Sequence, residues 1–219
     1  MSSQKQHSAQ HEELLKKQSL EQQEVKEVLN FFKKYAKPAV IVILAVCAFF
    51  LVDRYLKSSR LQKEAAADAA LMQAGSASDF QAILDDYGST PSAPLALMGL
   101  ARQTFNAGQY DEAEALYGKF LKKYKKHEMA VQAEFNQITC REAKGQLGDA
   151  HLLYGEFVKN HPDSYLAPLA MICQARCLES LSLLADAKQV YEDLVFSYPG
   201  SGWAQMAEAN LTVVENKLK

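Results

Sequence analysis

Glycine and proline are scarce in this chain of 219 residues, at 10 and 6, and runs in which Val, Ile or Thr alternate with polar residues are hard to find. No Gly-rich phosphate loop and no nucleophile elbow occurs. The four cysteines form no Cys-x-x-Cys pair. Neither charge dominates, with 24 Lys plus Arg against 26 Asp plus Glu, so the basic face that nucleic acid requires has no source. His7 and His11 have i, i+4 spacing but no third ligand beside them, and His127, His151 and His161 show no triad spacing. The reading is of a protein that is not an enzyme, with no cofactor, no metal, no nucleic acid and no small-molecule substrate. What remains is a chain that is 48% hydrophobic, enough for a sizeable core, and rich in Ala, Leu, Gln, Glu and Lys. All are good helix formers, and the composition is mostly α.

Residues 1–34 form a polar, glutamine-rich head. Its first dozen residues carry too few apolar groups to offset the entropy of ordering them, and weak helical patterning begins at Glu12. The strongest local signal follows, an unbroken apolar run from Pro38 to Val52. Alone it is shorter than the roughly 20 residues that cross a bilayer. Flanking aromatics at Tyr35 and Tyr55, with Lys37 and Arg54 placed to snorkel, extend it to a transmembrane helix over residues 35–56. A buried core helix would be amphipathic, whereas this run is apolar on every face. No small-x-small cleavage site follows it, and Val46 is too large for the position before Cys47 in a lipidation motif. Lys26, Lys33, Lys34 and Lys37 before the span balance Arg54, Lys57, Arg60 and Lys63 after it, so charge alone leaves the orientation open.

The rest of the chain repeats itself at an offset of 37 residues. Ala113, Ala150 and Ala187 align, as do Tyr117, Tyr154 and Tyr191, then Phe120, Phe157 and Leu194, and then Tyr124, His161 and Tyr198. Gly108, Gly145 and Ser182 share one turn position. Upstream, Ala93, Ala130, Ala167 and Ala204 align, and so do Ala96, Ala133, Ala170 and Ala207. Phe80, Ile83 and Tyr87 form a fainter earlier copy. Such a period is the mark of a helical-hairpin solenoid in which alanines permit close crossings and the aromatic pair fills the space between units. Helix A of each unit is expected near 93–107, 129–144, 166–181 and 203–217, and helix B near 110–125, 147–160 and 184–197. Residues 57–91 hold a linker helix and a degenerate first hairpin. Residues 92–219 hold three repeats and a C-terminal capping helix.

Gly108-Gln-Tyr-Asp-Glu-Ala113 and Gly145-Gln-Leu-Gly-Asp-Ala150, each followed by a tyrosine, resemble the turn and second helix of tetratricopeptide repeats. His161-Pro-Asp-Ser-Tyr-Leu-Ala167 and Tyr198-Pro-Gly-Ser-Gly-Trp-Ala204 look like the variety common in bacterial envelope proteins. The order of segments narrows this: Val28-Leu-Asn-Phe-Phe-Lys-Lys34, the apolar run, Asp53-Arg-Tyr-Leu-Lys57 and the alanine-rich stretch 65–74 resemble the ancillary SecYEG translocon subunit family. The expected fold class is thus all-α, one N-terminal transmembrane helix followed by a right-handed solenoid of tetratricopeptide-like hairpins. The resemblance implies a single-pass protein of the bacterial inner membrane, with a cytoplasmic N-terminus and periplasmic repeats. It also implies partners among secretion channel subunits, periplasmic foldases or exported chains, and chaperone-like binding of them. The alternative is a cell-envelope assembly or division scaffold, and a regulator with repeats on the cytoplasmic side is a third reading.

In this architecture the A helices line the groove. In register, one row reads Leu95, Gln132, Leu169 and Met206, the next Met98, Phe135, Ile172 and Ala209, and a third Arg102, Thr139 and Arg176. Leu95, Met98, Arg102, Phe135, Leu169, Ile172, Arg176 and Met206 are therefore the candidate partner groove, suited to a hydrophobic or acidic peptide. Packing between helices is the other use of the same positions. The rows do not match the Lys/Asn carboxylate clamp of chaperone-tail-binding repeats. Cys140 and Cys177 share one repeat position on adjacent A helices, too far apart for a ready disulfide, and with Cys173 they read as small buried hydrophobes.

Overall fold

The computed structural model describes residues 2–219. Side chains of most of residues 1–23, and of Phe32, Ala36, Lys37 and Ala39, are not among those described, so the His7 and His11 pair and the snorkelling Lys37 lie outside the described residues. Among the described residues there are nine helices and no strand: α1 Ser2–Gln73, α2 Ala77–Tyr87, α3 Ala93–Asn106, α4 Tyr110–Lys123, α5 Ala130–Ala143, α6 Leu147–Asn160, α7 Ala167–Ser180, α8 Leu184–Ser197 and α9 Gly202–Leu218. They fall into two units, Met1–Leu61 and Gln62–Lys219.

In the first unit, helix begins at Ser2, ahead of the Glu12 start that the patterning suggested. The transmembrane helix expected over residues 35–56 does not appear as one continuous apolar helix. Pro38 lies inside α1, where it lacks an N–H to donate and its ring crowds the carbonyl four residues back. Two arms, Glu24–Tyr35 and Val40–Gln73, meet there at 44°. Among the described residues no single helix is long and apolar enough to cross a membrane, although this bent pair meets that test together. Every side chain from Val40 to Val52 is exposed, with Leu51 at 69%. A core helix would bury one face of such a run.

In the second unit, α3–α4, α5–α6 and α7–α8 are hairpins lying within two residues of the expected A and B helices, and each packs on its neighbours in chain order. The turns explain themselves. Gly108, Gly145 and Ser182 take φ of 79°, 76° and 62°. At each, the next residue donates its N–H back over the helix end: Gln109 to the Thr104 carbonyl at 3.1 Å, Gln146 to Arg141 at 3.0 Å and Leu183 to Leu178 at 2.9 Å. This Schellman closure needs a left-handed residue, which glycine supplies without strain and Ser182 does not. Pro94 and Pro168 open α3 and α7, where a missing N–H costs nothing. Ser76 and Asp79 form a capping box on α2, and the Ser201 hydroxyl accepts from the Ala204 N–H on α9 at 3.1 Å.

Four core clusters follow one another along this unit, and three of them span two A helices and the B helix between. Leu97, Ala101, Tyr117, Phe120 and Ala133 form one, Phe135, Tyr154, Phe157 and Ala170 the next, and Ile172, Tyr191, Leu194 and Ala207 another. Phe80, Ile83, Ala96 and Leu100 form the remaining cluster, against which Ala70, Leu71 and Ala74 pack. Ala96, Ala133, Ala170 and Ala207 are wholly buried, so the recurring small residue sets how closely successive helices approach. The unit is an all-helical, tetratricopeptide-like solenoid.

Candidate functional site

The A helices α3, α5, α7 and α9 share one face, and the buried tyrosines of the B helices reach it from behind. Tyr117, Tyr154 and Tyr191 are each at most 2% exposed. The polar side chain nearby is in each case nineteen positions on: Asn136, Cys173 and Asn210 respectively. In the later two units a glutamate from the end of the preceding A helix joins them. Tyr154 donates to Glu142 at 2.8 Å and lies 3.2 Å from the Thr139 hydroxyl, and Tyr191 donates to Glu179 at 2.9 Å. These carboxylates are answered in turn. Arg176 donates to Glu142 from Nε at 2.8 Å and from Nη2 at 2.5 Å, and Lys217 to Glu179 at 3.0 Å. Burial pushes Tyr117 up to about 12, and drives Tyr154 and Tyr191 upward as well. Tyr154 and Tyr191 remain neutral donors to their glutamates.

The first hairpin breaks the column in a matched way. Phe80 stands where the other units have tyrosine, and Gly99, nineteen positions on, stands where they have Asn or Cys. A Cβ on Gly99 would meet the Phe80 ring at 2.5 Å. The ring, having no hydroxyl to satisfy, lies directly on the α3 backbone.

The candidate groove residues divide. Met98, Phe135 and Ile172 are 7%, 6% and 8% exposed and sit in three of the core clusters, while Leu169 is half-buried against the Phe135 cluster. Their row turns toward neighbouring helices. Leu95 and Met206 are 41% and 48% exposed, and Arg102 and Arg176 are exposed. Leu95, Met98 and Arg102 line one hollow of about 410 Å³ together with Leu71, Met129 and Gln132. Across its edge, Gln132 accepts from Tyr165 at 2.5 Å and donates to Asn136 at 3.0 Å. The tyrosine column is plain in the sequence, but its pairing with the residue nineteen positions on is not part of the sequence reading, although that constant separation is visible in the chain.

Three cysteines lie beneath this face. Burial pushes the Cys140 and Cys177 thiols up to about 12, and raises Cys173 against the pull of Arg176. All are free and buried, unreactive in this state. Among the described residues no three His, Cys, Asp or Glu side chains are grouped to hold a metal ion.

Comparison with known proteins agrees with this architecture. The Tetratricopeptide repeat family matches residues 64–126 and again 102–164. No curated protein matches the chain. Among solved structures, a tetratricopeptide repeat protein from Parabacteroides merdae is 16% identical at a TM-score of 0.53, covering 73% of this chain and 61% of that one. The nearly identical TPR-like repeats of a kinesin light chain from Podosopora anserina are 15% identical at 0.54, covering 74% and 86%. The Yersinia enterocolitica type III secretion chaperone SycD, solved with a peptide of the translocator YopD, is 17% identical at 0.48, covering 56% and 92%. The first two of these likenesses concern the fold. Tetratricopeptide arrays are protein-interaction scaffolds, their stacked hairpins presenting an extended surface to a partner.

Proposed function

We propose that this chain is a membrane-anchored protein-interaction module that works beside the secretion channel and binds exported proteins or their foldases in a chaperone-like manner. The observation that carries the binding half is the A-helix face, where Leu95 stays exposed beside Arg102, and Met206 stays exposed on α9, instead of joining the buried clusters. Apolar side chains next to a free charge suit a protein partner better than bulk water. The anchoring half rests on the exposed run Val40–Val52, whose apolar side chains have no cover within their own unit. A lipid core would supply that cover, with Pro38 bending the helix at its entry. The inner-membrane location, the cytoplasmic head and the periplasmic repeats rest on the order of segments. An envelope assembly or division scaffold is the second reading, favoured by the same variety of repeat.

Two measurements test this. A C-terminal reporter should be active only when exported, and activity confined to the cytoplasm would overturn the assigned side. Crosslinked pull-down of the membrane-embedded protein should recover channel subunits, foldases or exported chains. Recovery of cell-wall machinery without channel subunits would favour the scaffold.

A further inference from the structure

Glu142 and Glu179 divide the A-helix face electrostatically. Of its two exposed arginines, Arg176 is committed: its guanidinium makes a two-point contact with Glu142, whose side chain is 14% exposed. Arg102, at the corresponding position of the first repeat, has no carboxylate partner. The residue thirty-four positions before Arg102, as Glu142 is before Arg176, is Asp68, which accepts from the Ser92 hydroxyl instead, and among the described residues Arg102 enters no ion pair or hydrogen bond. Thr139 fills the middle position with a neutral hydroxyl. One half of the face thus neutralises itself, and the other presents an uncommitted guanidinium.

That guanidinium sits at the rim of the 410 Å³ hollow, which lies within the size range of ligand pockets. Leu71, Leu95, Met98 and Met129 supply apolar wall, and Gln132 and Asn136 supply side-chain amides. Gly99 lies in the floor and contributes no side chain. The flexible thioethers of Met98 and Met129 let the wall adjust to different apolar shapes. The geometry points to a specific subsite: a bulky apolar side chain enters between Leu95 and Met129, and a carboxylate next to it in the same peptide pairs with Arg102. The ligand class is an extended protein segment with an acidic residue, or a chain terminus, within two positions of a Leu, Met or Phe. Guanidinium planarity favours the carboxylate over a neutral amide through paired N–H donors. This rests on the reading of the A-helix face as the binding surface, and it adds which end binds and what chemistry it selects.

The test uses the full chain in detergent micelles, probed against an array of random twelve-residue peptides. Retained peptides should be enriched in a bulky apolar residue beside Asp or Glu. Changing that acid to its amide should weaken binding to the wild type about tenfold, the low end for a charge-assisted pair. With Arg102→Gln the acid and amide peptides should bind alike, while Arg176→Gln should preserve the difference. Both arginines are exposed, so circular dichroism should show each variant folded. Retention of peptides with no acidic preference, or a preference that survives Arg102→Gln, would overturn the subsite and leave the binding face standing. No retention of any peptide by the folded wild type would overturn both.

Discussion

Replacing Gly99 by alanine adds a single methyl group where the Phe80 ring already stands, with Cε1, Cζ and Cδ1 at 2.5, 2.7 and 2.8 Å from the new carbon. Helix propensity favours the change, since glycine in a helix interior costs about 1 kcal/mol relative to alanine. Packing opposes it. Phe80 is 6% exposed and held among Ile83, Ala96 and Leu100, so its rigid ring cannot withdraw as the tip of a long side chain would. Overpacking of this kind costs roughly 1–3 kcal/mol, and expelling the ring altogether would forfeit about 2–3 kcal/mol of burial. With three ring carbons under 3 Å from the new methyl the upper part of that range applies, and less the propensity gain the net loss is about 1–2 kcal/mol. Repeat arrays unfold in segments, so native-state hydrogen exchange is the suitable assay. Protection in α2 and α3 should fall about tenfold while α7–α9 hold. Gly118→Ala is the control, because its Cβ would meet only the Gln137 Nε2 at 3.1 Å. That flexible amide can yield, leaving a gain of up to about 1 kcal/mol. Equal or higher protection for Gly99→Ala, or an equal loss for Gly118→Ala, would refute the matched pair of Phe80 and Gly99.

Tyr154→Phe removes the hydroxyl bonded to Glu142 and Thr139 and should cost about 1–2 kcal/mol in urea unfolding. Tyr124→Phe should be neutral or slightly stabilising, because the Tyr124 hydroxyl is buried without a partner among the described residues; equal losses for the two would contradict the tyrosine column. Ser182→Gly should raise the melting temperature, relieving the left-handed strain at φ 62° by about 1 kcal/mol. Cys140 and Cys177, with thiols pushed up to about 12 by burial, should react with an aromatic disulfide reagent at pH 8 only as fast as the repeats open. Labelling within the mixing time would show that these helices are not packed as described.

Much of the solenoid was legible because one period fixed helix, turn and core together. Once Gly108, Gly145 and Ser182 were seen as one turn position, the hairpins on either side followed, and Ser182 adopts the glycine conformation that the register demanded. The aromatic columns at Tyr117 and Phe120 were equally plain, since a period-spaced bulky residue in a stacked array has only the core to occupy. Rotation about the A helix was less legible. Leu95 and Met98 differ by three positions, less than a full turn, so their row membership does not say which packs on the next helix. Arg176 looked identical to Arg102 by register, and only its distance to Glu142 separates the two. At the N-terminal end, Pro38 heads the apolar run in the sequence, and periodicity does not reveal that its effect is to bend the helix that contains it.

Crosslinking from defined positions of the membrane-embedded protein tests the central claim most directly. A photoreactive residue at Leu95 or Met206, on the A-helix face, should capture partner proteins in living cells. The same residue at Phe196, 87% exposed on helix α8, should capture few or none. Adducts from position 196 with none from 95 and 206 would contradict the account.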